Sequence, residues 1–229
     1  DHVEPQVEPC PLGEARRLLI DRLNGQARQM ELIAFSLANE FGFAFHGFDF
    51  SLAPFPEDAA SLGAAMEQLG ISALGQGGSL AAAAFIADTL DLCQWKRAGF
   101  NGLMMPVLED SRLARRSAEG SLTVQDLLMF SAVCGTGLDT VPLPGDVSEQ
   151  DLTGLLMDVA ALATRLGKPL TARLMPIPGK SAGDPTNFDF DFFANGRVLA
   201  IKPGGVGGLL ADAEVIDLKP RLKRLEFKE

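Results

Sequence analysis

Helix-like and strand-like stretches alternate along this chain, and that alternation restricts its fold more than any other feature. Apolar residues recur at every third or fourth position from residue 12 to residue 41 and again after Ser148, which is typical of amphipathic helices. Short apolar or aromatic runs at residues 43–50, 102–108, 170–176, 197–201 and 213–218 are typical of strands. A short helix is predicted over residues 58–69, and helix starts are predicted at Ser79, Asp110, Thr123 and Ser148. Strands that alternate with helices pack as a mostly parallel sheet or barrel. We therefore predict a single α/β domain over residues 1–229.

The charge balance and the cysteines restrict the function classes. The chain has 20 Lys and Arg against 30 Asp and Glu, a formal net charge of −10, and no basic stripe offsets it, which excludes binding to a phosphate backbone. The sequence contains no apolar run that is long and uncharged enough to predict a membrane span. Cys10, Cys93 and Cys134 lack the paired spacing of a disulfide framework or a zinc site, so a cytoplasmic location is expected. The chain opens on Asp1, which indicates a processed or trimmed product or the later part of a longer protein.

Residues 131–146, SAVCGTGLDTVPLPGD, are predicted to form a loop between two helices. The stretch places Cys134 in a polar, glycine-broken setting beside two acids, Asp139 and Asp146. Loops between rigid elements are where functional residues concentrate. Cys134 is either a catalytic thiol or a half-buried packing residue, since neither histidine is positioned to act as its base. Asp139 and Asp146 either bind a metal, take part in acid–base catalysis or stabilise the loop.

Polar residues follow the predicted strands, at the ends where parallel α/β folds place their chemistry. These candidates for substrate binding are Asp49, Glu109, Lys180 and Asp184. Arg173 lies within an alternating strand, where an arginine needs an anionic partner. It is therefore either a catalytic residue or one half of a structural ion pair with a nearby acid.

A glycine-rich turn precedes one predicted helix. Gly77 and Gly78 could present backbone N–H groups to an anionic ligand at the start of that helix. The turn lacks the lysine of a P-loop and the spacing of a dinucleotide fingerprint. The alternative is that these glycines serve only a tight turn.

Several long motifs resemble an uncharacterised family labelled "PFL family protein", domain-of-unknown-function family 711. They are CGTGLDTVPLPGD at residues 134–146, GLMMPVLED at 102–110, KPLTARL at 168–174, PGKSAGD at 178–184, and GFD at 47–49. The resemblance implies a barrel like that of pyruvate formate-lyase: ten strands in two parallel five-stranded halves set antiparallel, with a cysteine-bearing finger loop inside. Family members are about twice as long, so this chain is expected to supply roughly the C-terminal half of the barrel.

The resemblance does not extend to the radical chemistry of glycyl radical enzymes. The chain has no tyrosine, and Gly196-Arg197-Val198 lacks the glycine–tyrosine partner of the radical segment. Cys134 follows Ala132-Val133 rather than a second cysteine. We therefore expect a small-molecule enzyme that acts on an anionic metabolite by a thiol-assisted or carboxylate-assisted reaction. Cys134, Asp139, Asp146 and Arg173 are its expected catalytic residues, and the sequence leaves open whether a cofactor or metal takes part.

The alternative is a non-catalytic ligand-binding or regulatory protein that uses the barrel as a pocket. Either way, half a barrel would leave strand edges and apolar faces exposed. The expected partner is the preceding N-terminal half, as a second chain or a segment of the same one, or else a second copy of this chain.

Overall fold

The computed structural model describes residues 10–134, 136–202, 204–212, 215 and 217–221. Within these residues the chain forms six α-helices and two β-strands. In order they are α1 Leu12–Phe41, α2 Leu62–Gln68, α3 Ser79–Asp91, α4 Ser111–Glu119, α5 Val124–Cys134, β1 Gly137–Pro144, α6 Glu149–Leu166 and β2 Thr171–Ile177, with short 3-10 turns at Asp58–Ala60 and Gly208–Ala211.

The two strands pair in parallel, and α6 connects them. The register runs from Gly137 opposite Thr171 to Pro144 opposite Ile177. A parallel pair needs a crossover connection, and here the 18-residue α6 provides it. The predicted α/β class with parallel pairing is therefore confirmed.

Two further extended segments continue the parallel arrangement beyond β1. The N–H of Val107 donates to the carbonyl oxygen of Asp139 at 3.1 Å, and the N–H of Leu52 donates to the carbonyl oxygen of Gly102 at 2.9 Å. Each segment joins its neighbour through isolated bridges rather than a continuous ladder. In the described residues the only ladder is two-stranded, and the ten-stranded barrel stays a prediction.

The prediction of one loop over residues 131–146 is wrong for residues 137–144, which form β1. Leu138, Val141 and Leu143 on this strand are all 0% exposed. The prolines do not break the strand, because the carbonyl oxygen of Pro142 still accepts the N–H of Leu199 at 2.8 Å. Burial in the centre of the core thus prevails over the turn preference of the glycines and prolines.

Predicted helix starts at Asp110, Thr123 and Ser148 are confirmed by their capping hydrogen bonds. Asp110 accepts the N–H groups of Arg112 and Leu113 at 2.8 and 3.1 Å. The N–H of Thr123 donates to Asp126, whose own N–H returns to the hydroxyl of Thr123. The hydroxyl of Ser148 accepts the N–H of Asp151 at 3.1 Å. Such caps satisfy N–H groups that the first helical turn leaves unpaired.

Other local predictions need correction. The single helix predicted over residues 58–69 is divided at Ser61, which caps α2 instead of lying inside a helix. Ser79 is the first residue of α3 rather than its cap, and Gly78 takes the cap position with a φ of 96°. The strand predicted at residues 43–50 contributes only the bridge of Phe48 to Arg97.

The two strands predicted last in the chain are only partly accounted for. The one predicted at residues 197–201 pairs with Pro185 only through Arg197. The strand predicted at residues 213–218 lies mostly outside the described residues.

Helix α1 buries few of its residues and carries many exposed apolar side chains among its charged ones. Its buried residues are Ala27 and Ala38. Its exposed large apolar side chains are Leu12, Leu18, Met30, Leu32, Ile33, Phe35, Leu37 and Phe41. Exposed apolar side chains in this number are typical of interaction surfaces, and the expected partner stays a prediction. None of the helices in the described part of the chain has the length and apolarity needed to cross a membrane.

Candidate functional site

The structure brings three of the predicted site residues together around one guanidinium group. The Nε–H of Arg173 donates to Oδ1 of Asp139, and Nη2 of Arg173 lies 2.9 Å from Oε1 of Glu109. The Asp139 side chain is 2% exposed, that of Glu109 29% and that of Arg173 49%. A buried carboxylate thus holds the inner edge of a guanidinium whose outer part reaches the surface.

A β-bulge in β1 places Asp139 opposite Arg173. Leu138 pairs with Ala172 and Val141 pairs with Leu174, so Asp139 and Thr140 together face the single residue Arg173. An extra residue in one strand bends it and re-aims a side chain, and bulges are frequent beside active sites.

Thr140 is strained at this bulge. Its φ is 40°, in the left-handed region that a β-branched residue rarely adopts. Its buried hydroxyl accepts the N–H of Leu108 at 3.3 Å, which ties the bulge to the segment that ends at Glu109. Backbone strain of this kind persists only where the surroundings impose it, and it concentrates at functional sites. No sequence signal marked Thr140, because its conformation follows from strand register.

Arg173 is held in its charged form, whereas one oxygen of Asp139 has no partner in the described part of the chain. The hydrogen bond to Asp139 raises the pKa of Arg173 above its ordinary value, partial burial opposes this, and the charges of Asp139 and Glu109 add to it. Arg173 therefore keeps its positive charge. The second carboxylate oxygen of Asp139, Oδ2, is buried and has no hydrogen-bond donor among the described residues. A buried acceptor left unpaired costs about 1–3 kcal/mol and calls for an explanation.

Arg173 keeps hydrogen-bonding capacity for a ligand. An arginine side chain has five N–H donors in a planar fork, and the contacts with Asp139 and Glu109 use two of them. The rest have no partner among the described residues. A half-exposed guanidinium with free donors is suited to bind a carboxylate or phosphate group.

Asp146 makes no described hydrogen bond or ion pair with this group, and the backbone of Cys134 lies at the opposite end of β1 from Asp146. Cys134 is the last residue of α5, on the amino side of β1, and its side chain lies outside the described residues. Asp146 is exposed just beyond the carboxyl end of β1. The strand between them spans roughly 23 Å at about 3.3 Å a residue. The structure therefore separates the two residues that the sequence placed in one loop.

Lys180 and Asp184 lie beyond the carboxyl end of β2. The carbonyl oxygen of Lys180 accepts the N–H of Gly145 at 2.9 Å, which brings Lys180 near Asp146. Asp184 accepts the N–H of Ser181 at 2.8 Å and so closes its own turn. The structure thus joins the backbones that follow β1 and β2 at this end, and the convergence of the predicted side chains on one site stays a prediction.

Asp49 organises a loop. Its Oδ1 accepts the hydroxyl of Ser51 at 2.6 Å and the N–H of Asn101 at 2.9 Å, and its Oδ2 accepts the N–H of Phe100 at 2.9 Å. Burial alone would raise the pKa of Asp49, but these hydrogen bonds outweigh it and hold the pKa below the ordinary value. The hydrogen bond from its N–H to Asp49 also holds Asn101 at a φ of 49°, a left-handed conformation that asparagine tolerates.

Gly77 and Gly78 precede α3 as predicted, in a turn that the side chain of Ser79 closes. The hydroxyl of Ser79 accepts the N–H of Gly75 at 3.1 Å and donates to the carbonyl oxygen of Gln76 at 2.7 Å. These contacts support the tight-turn interpretation. A role in substrate binding for Gly77 and Gly78 stays a prediction.

Two concavities exist elsewhere on the described surface. One, of about 160 Å³, has Asn101, Val133 and Lys168 in its lining. The other, an open groove of about 330 Å³, runs beside Phe50 and Leu62. None of the predicted site residues is among the described residues that line them. No group of three or more His, Cys, Asp or Glu in the described part of the chain is placed to hold a metal ion.

Comparisons with known proteins agree on one family. The family model described as "Uncharacterised ACR (DUF711)" matches residues 6–194. A "UPF0210 protein" of Pyrobaculum arsenaticum is 39% identical over 189 residues, which is 80% of this chain and 42% of that protein. Another from Pyrobaculum aerophilum is 36% identical, with the same coverage. One from Methanopyrus kandleri is 33% identical over 82% of this chain and 38% of its own length.

The chain thus spans about two fifths of the length of the curated relatives it matches. The family match covers β1, β2 and all three residues of the Arg173 group. This chain belongs to the DUF711 family.

Proposed function

We propose that this protein is an enzyme that binds a small molecule through an anionic group on that molecule, with Arg173 as the contact. The observation that carries the proposal is the half-exposed guanidinium of Arg173, held on its inner edge by the buried Asp139 of a strained bulge. Strand-borne residues locked in place by their neighbours make a preorganised site. A purely structural ion pair would need neither the strain at Thr140 nor the free donors of Arg173.

We assign a role to each of the three residues from the solvent exposure of its side chain. Arg173 contacts the anionic group, and Asp139 positions Arg173 from beneath. Glu109 is more accessible than Asp139 and lies against the same guanidinium, so it is the group we assign to proton transfer. This is the carboxylate-assisted form of the expected reaction. The thiol-assisted form would use Cys134, and nothing in the described geometry supports it over the carboxylate form.

An additional polypeptide surface is part of the proposal, because the Arg173 group lies outside both concavities and a small-molecule site needs walls. The relatives have more than half of their length outside the region that this chain matches. The apolar face of α1, from Leu18 to Phe41, is the surface that such a segment would cover. We propose that the part of the relatives that this chain does not match packs on α1 and completes the barrel. We also assign the protein to the cytoplasm.

The experiment is a thermal-shift screen of small carboxylates and phosphates on the wild-type protein and Arg173→Gln. Ligand binding stabilises the folded state by RT ln(1 + [L]/Kd), about 1.4 kcal/mol at a tenfold excess over Kd. We expect at least one compound to raise the melting temperature of the wild type and not that of Arg173→Gln. Arg28→Gln, which removes an exposed arginine on α1, is the matched control and should respond like wild type.

Turnover of a hit, followed by NMR of the compound, tests the catalytic part. Glu109→Gln should slow turnover and leave the protein folded. Binding without turnover under any condition would favour the ligand-binding alternative. An identical response of Arg173→Gln and wild type to every compound would contradict the proposal.

A further inference from the structure

The charge of the Arg173 group narrows the class of ligand, and this inference rests on the proposed function. One guanidinium is contacted by two carboxylates, those of Asp139 and Glu109, so the group has a formal charge of −1. A ligand that carries only negative charge would be repelled by this net negative charge as it approached Arg173. Like charges brought together at a binding site cost affinity and select against the wrong partner.

The hydrogen-bond acceptors of Asp139 and Glu109 are likewise not fully used by the donors of Arg173. Oδ2 of Asp139 has no donor among the described residues, and Glu109 is accessible beside it. Arg173 has donors left for one anionic group. The site therefore offers the free donors of Arg173 and, beside them, the accessible carboxylate of Glu109, while the buried carboxylate of Asp139 adds negative charge from beneath. A matching ligand brings both an anionic group and a cationic donor.

We infer that the ligand is a small zwitterion of the amino-acid class, with its carboxylate on Arg173 and its ammonium group facing Glu109. The ammonium group offsets the excess negative charge that a simple carboxylic acid would meet. A 2-hydroxy acid supplies a donor without the charge, and it is the nearest competitor. The acidic side chains at Asp139 and Glu109 thus select against ligands that Arg173 alone would accept.

The test compares three analogues that differ at one position. Ligand-observed NMR with the twenty standard L-amino acids first identifies the strongest binder, and its 2-hydroxy and 2-deamino analogues are then titrated against the same protein. We expect the amino acid to bind up to about fivefold more tightly than the 2-deamino acid, the upper end for one partly exposed charge contact. The 2-hydroxy acid should fall between them.

Glu109→Gln provides the sharper readout, because it removes one negative charge and leaves Asp139 and Arg173 in place. It should weaken binding of the amino acid and strengthen binding of the 2-deamino acid, so that the preference shrinks or reverses. Glu57→Gln, an exposed glutamate outside the site, is the matched control and should keep the wild-type preference. A circular dichroism spectrum confirms that both variants are folded.

The outcomes separate the two proposals. If the 2-deamino acid binds as tightly as the amino acid, or if Glu109→Gln weakens both alike, the zwitterion inference is wrong and Arg173 still binds anions. If no carboxylate or amino acid binds, and Arg173→Gln behaves like wild type throughout, the proposed function fails as well.

Discussion

The Nε–H of Arg173 on β2 donates to Oδ1 of Asp139 on β1, across the one irregular position of the parallel pair. Asp139 is almost fully buried, whereas half of the Arg173 side chain is exposed. The pair therefore joins the core of the sheet to its surface, and its two residues have different tasks. Asp139 fixes the inner edge of the guanidinium group of Arg173, and the outer part of that group is exposed.

Removing Arg173 should destabilise the fold, because Asp139 would lose its charge partner. Breaking a buried pair costs about 3–5 kcal/mol, and we expect about 2 kcal/mol for Arg173→Gln since Arg173 is half exposed. Urea unfolding measures the free energy. Asp139→Asn combined with Arg173→Gln should cost less than the sum of the single changes. Additive costs would mean that the pair contributes no coupling.

The glycine before the bulge is sterically required. Gly137 has a φ of 98°, and a Cβ atom there would overlap the carbonyl oxygen of Thr171 on β2. We expect Gly137→Ala to lower the free energy of unfolding by at least about 2 kcal/mol, through strain at a positive φ and the displaced strand. Equal stability of Gly137→Ala and wild type would show that β1 and β2 are not so close.

Gly25→Ala is the matched control for that substitution. Gly25 lies inside α1, where an added Cβ atom meets no other group. Alanine is a better helix former than glycine by about 1 kcal/mol. Gly25→Ala should therefore leave the protein equally or more stable in the same urea titration.

The starts of three helices could be predicted from sequence because each depends on neighbouring residues. Asp110, Thr123 and Ser148 each cap the helix that directly follows them. The parallel α/β class followed from the alternation of periodicities, which is also local. Such features need no knowledge of distant contacts.

Strand β1 was missed because its environment is not local. Its glycines and prolines are turn residues in isolation, and the strand forms because Leu138, Val141 and Leu143 fill the centre of the core. For the site, the sequence indicated that Arg173 needs an acid, and the structure identifies Asp139 and Glu109. The bulge at Thr140 depends on the register between two strands, and no single strand encodes it.

A buried ion-pair network should make the protein sensitive to acid. Glu67 on α2 bonds Arg112 at 2.9 Å and Arg116 at 2.7 Å on α4. Burial alone would raise the pKa of Glu67, but hydrogen bonds and the arginine charges outweigh it and hold the pKa below 4.5. A carboxyl group whose folded pKa is depressed stabilises the fold above its unfolded pKa. That stability is lost as the pH falls through the folded pKa.

Glu67→Gln should therefore lower the free energy of unfolding by about 3 kcal/mol at neutral pH. The difference from wild type should shrink as the pH falls below 4.5. Urea titrations at several pH values measure it. Glu40→Gln, an exposed glutamate on α1, should show no such trend. A difference that stays constant down to strongly acidic pH would contradict the assigned role of Glu67.

The exposed side of α1 should accept polar residues. Leu32 is 74% exposed and Phe41 is 68% exposed, whereas Ala27 on the same helix is 0% exposed. Changing Leu32 and Phe41 to Gln should alter the free energy of unfolding by no more than about 0.5 kcal/mol each. It should reduce self-association in sedimentation velocity and weaken binding of the completing polypeptide. Ala27→Gln should unfold the protein, and equal destabilisation by all three changes would mean that this side is packed.

The most direct measurement of the proposed site is the NMR spectrum of ¹⁵N-labelled arginine guanidinium groups during titration with amino acids and simple carboxylates. The Arg173 signals are those lost in Arg173→Gln, and the Arg28 signals serve as an internal reference. We predict that the Arg173 signals shift in a saturable way with an amino acid, and less with its 2-deamino analogue, while those of Arg28 do not move. Arg173 signals that stay unchanged at tens of millimolar of every compound would contradict a ligand site at Arg173.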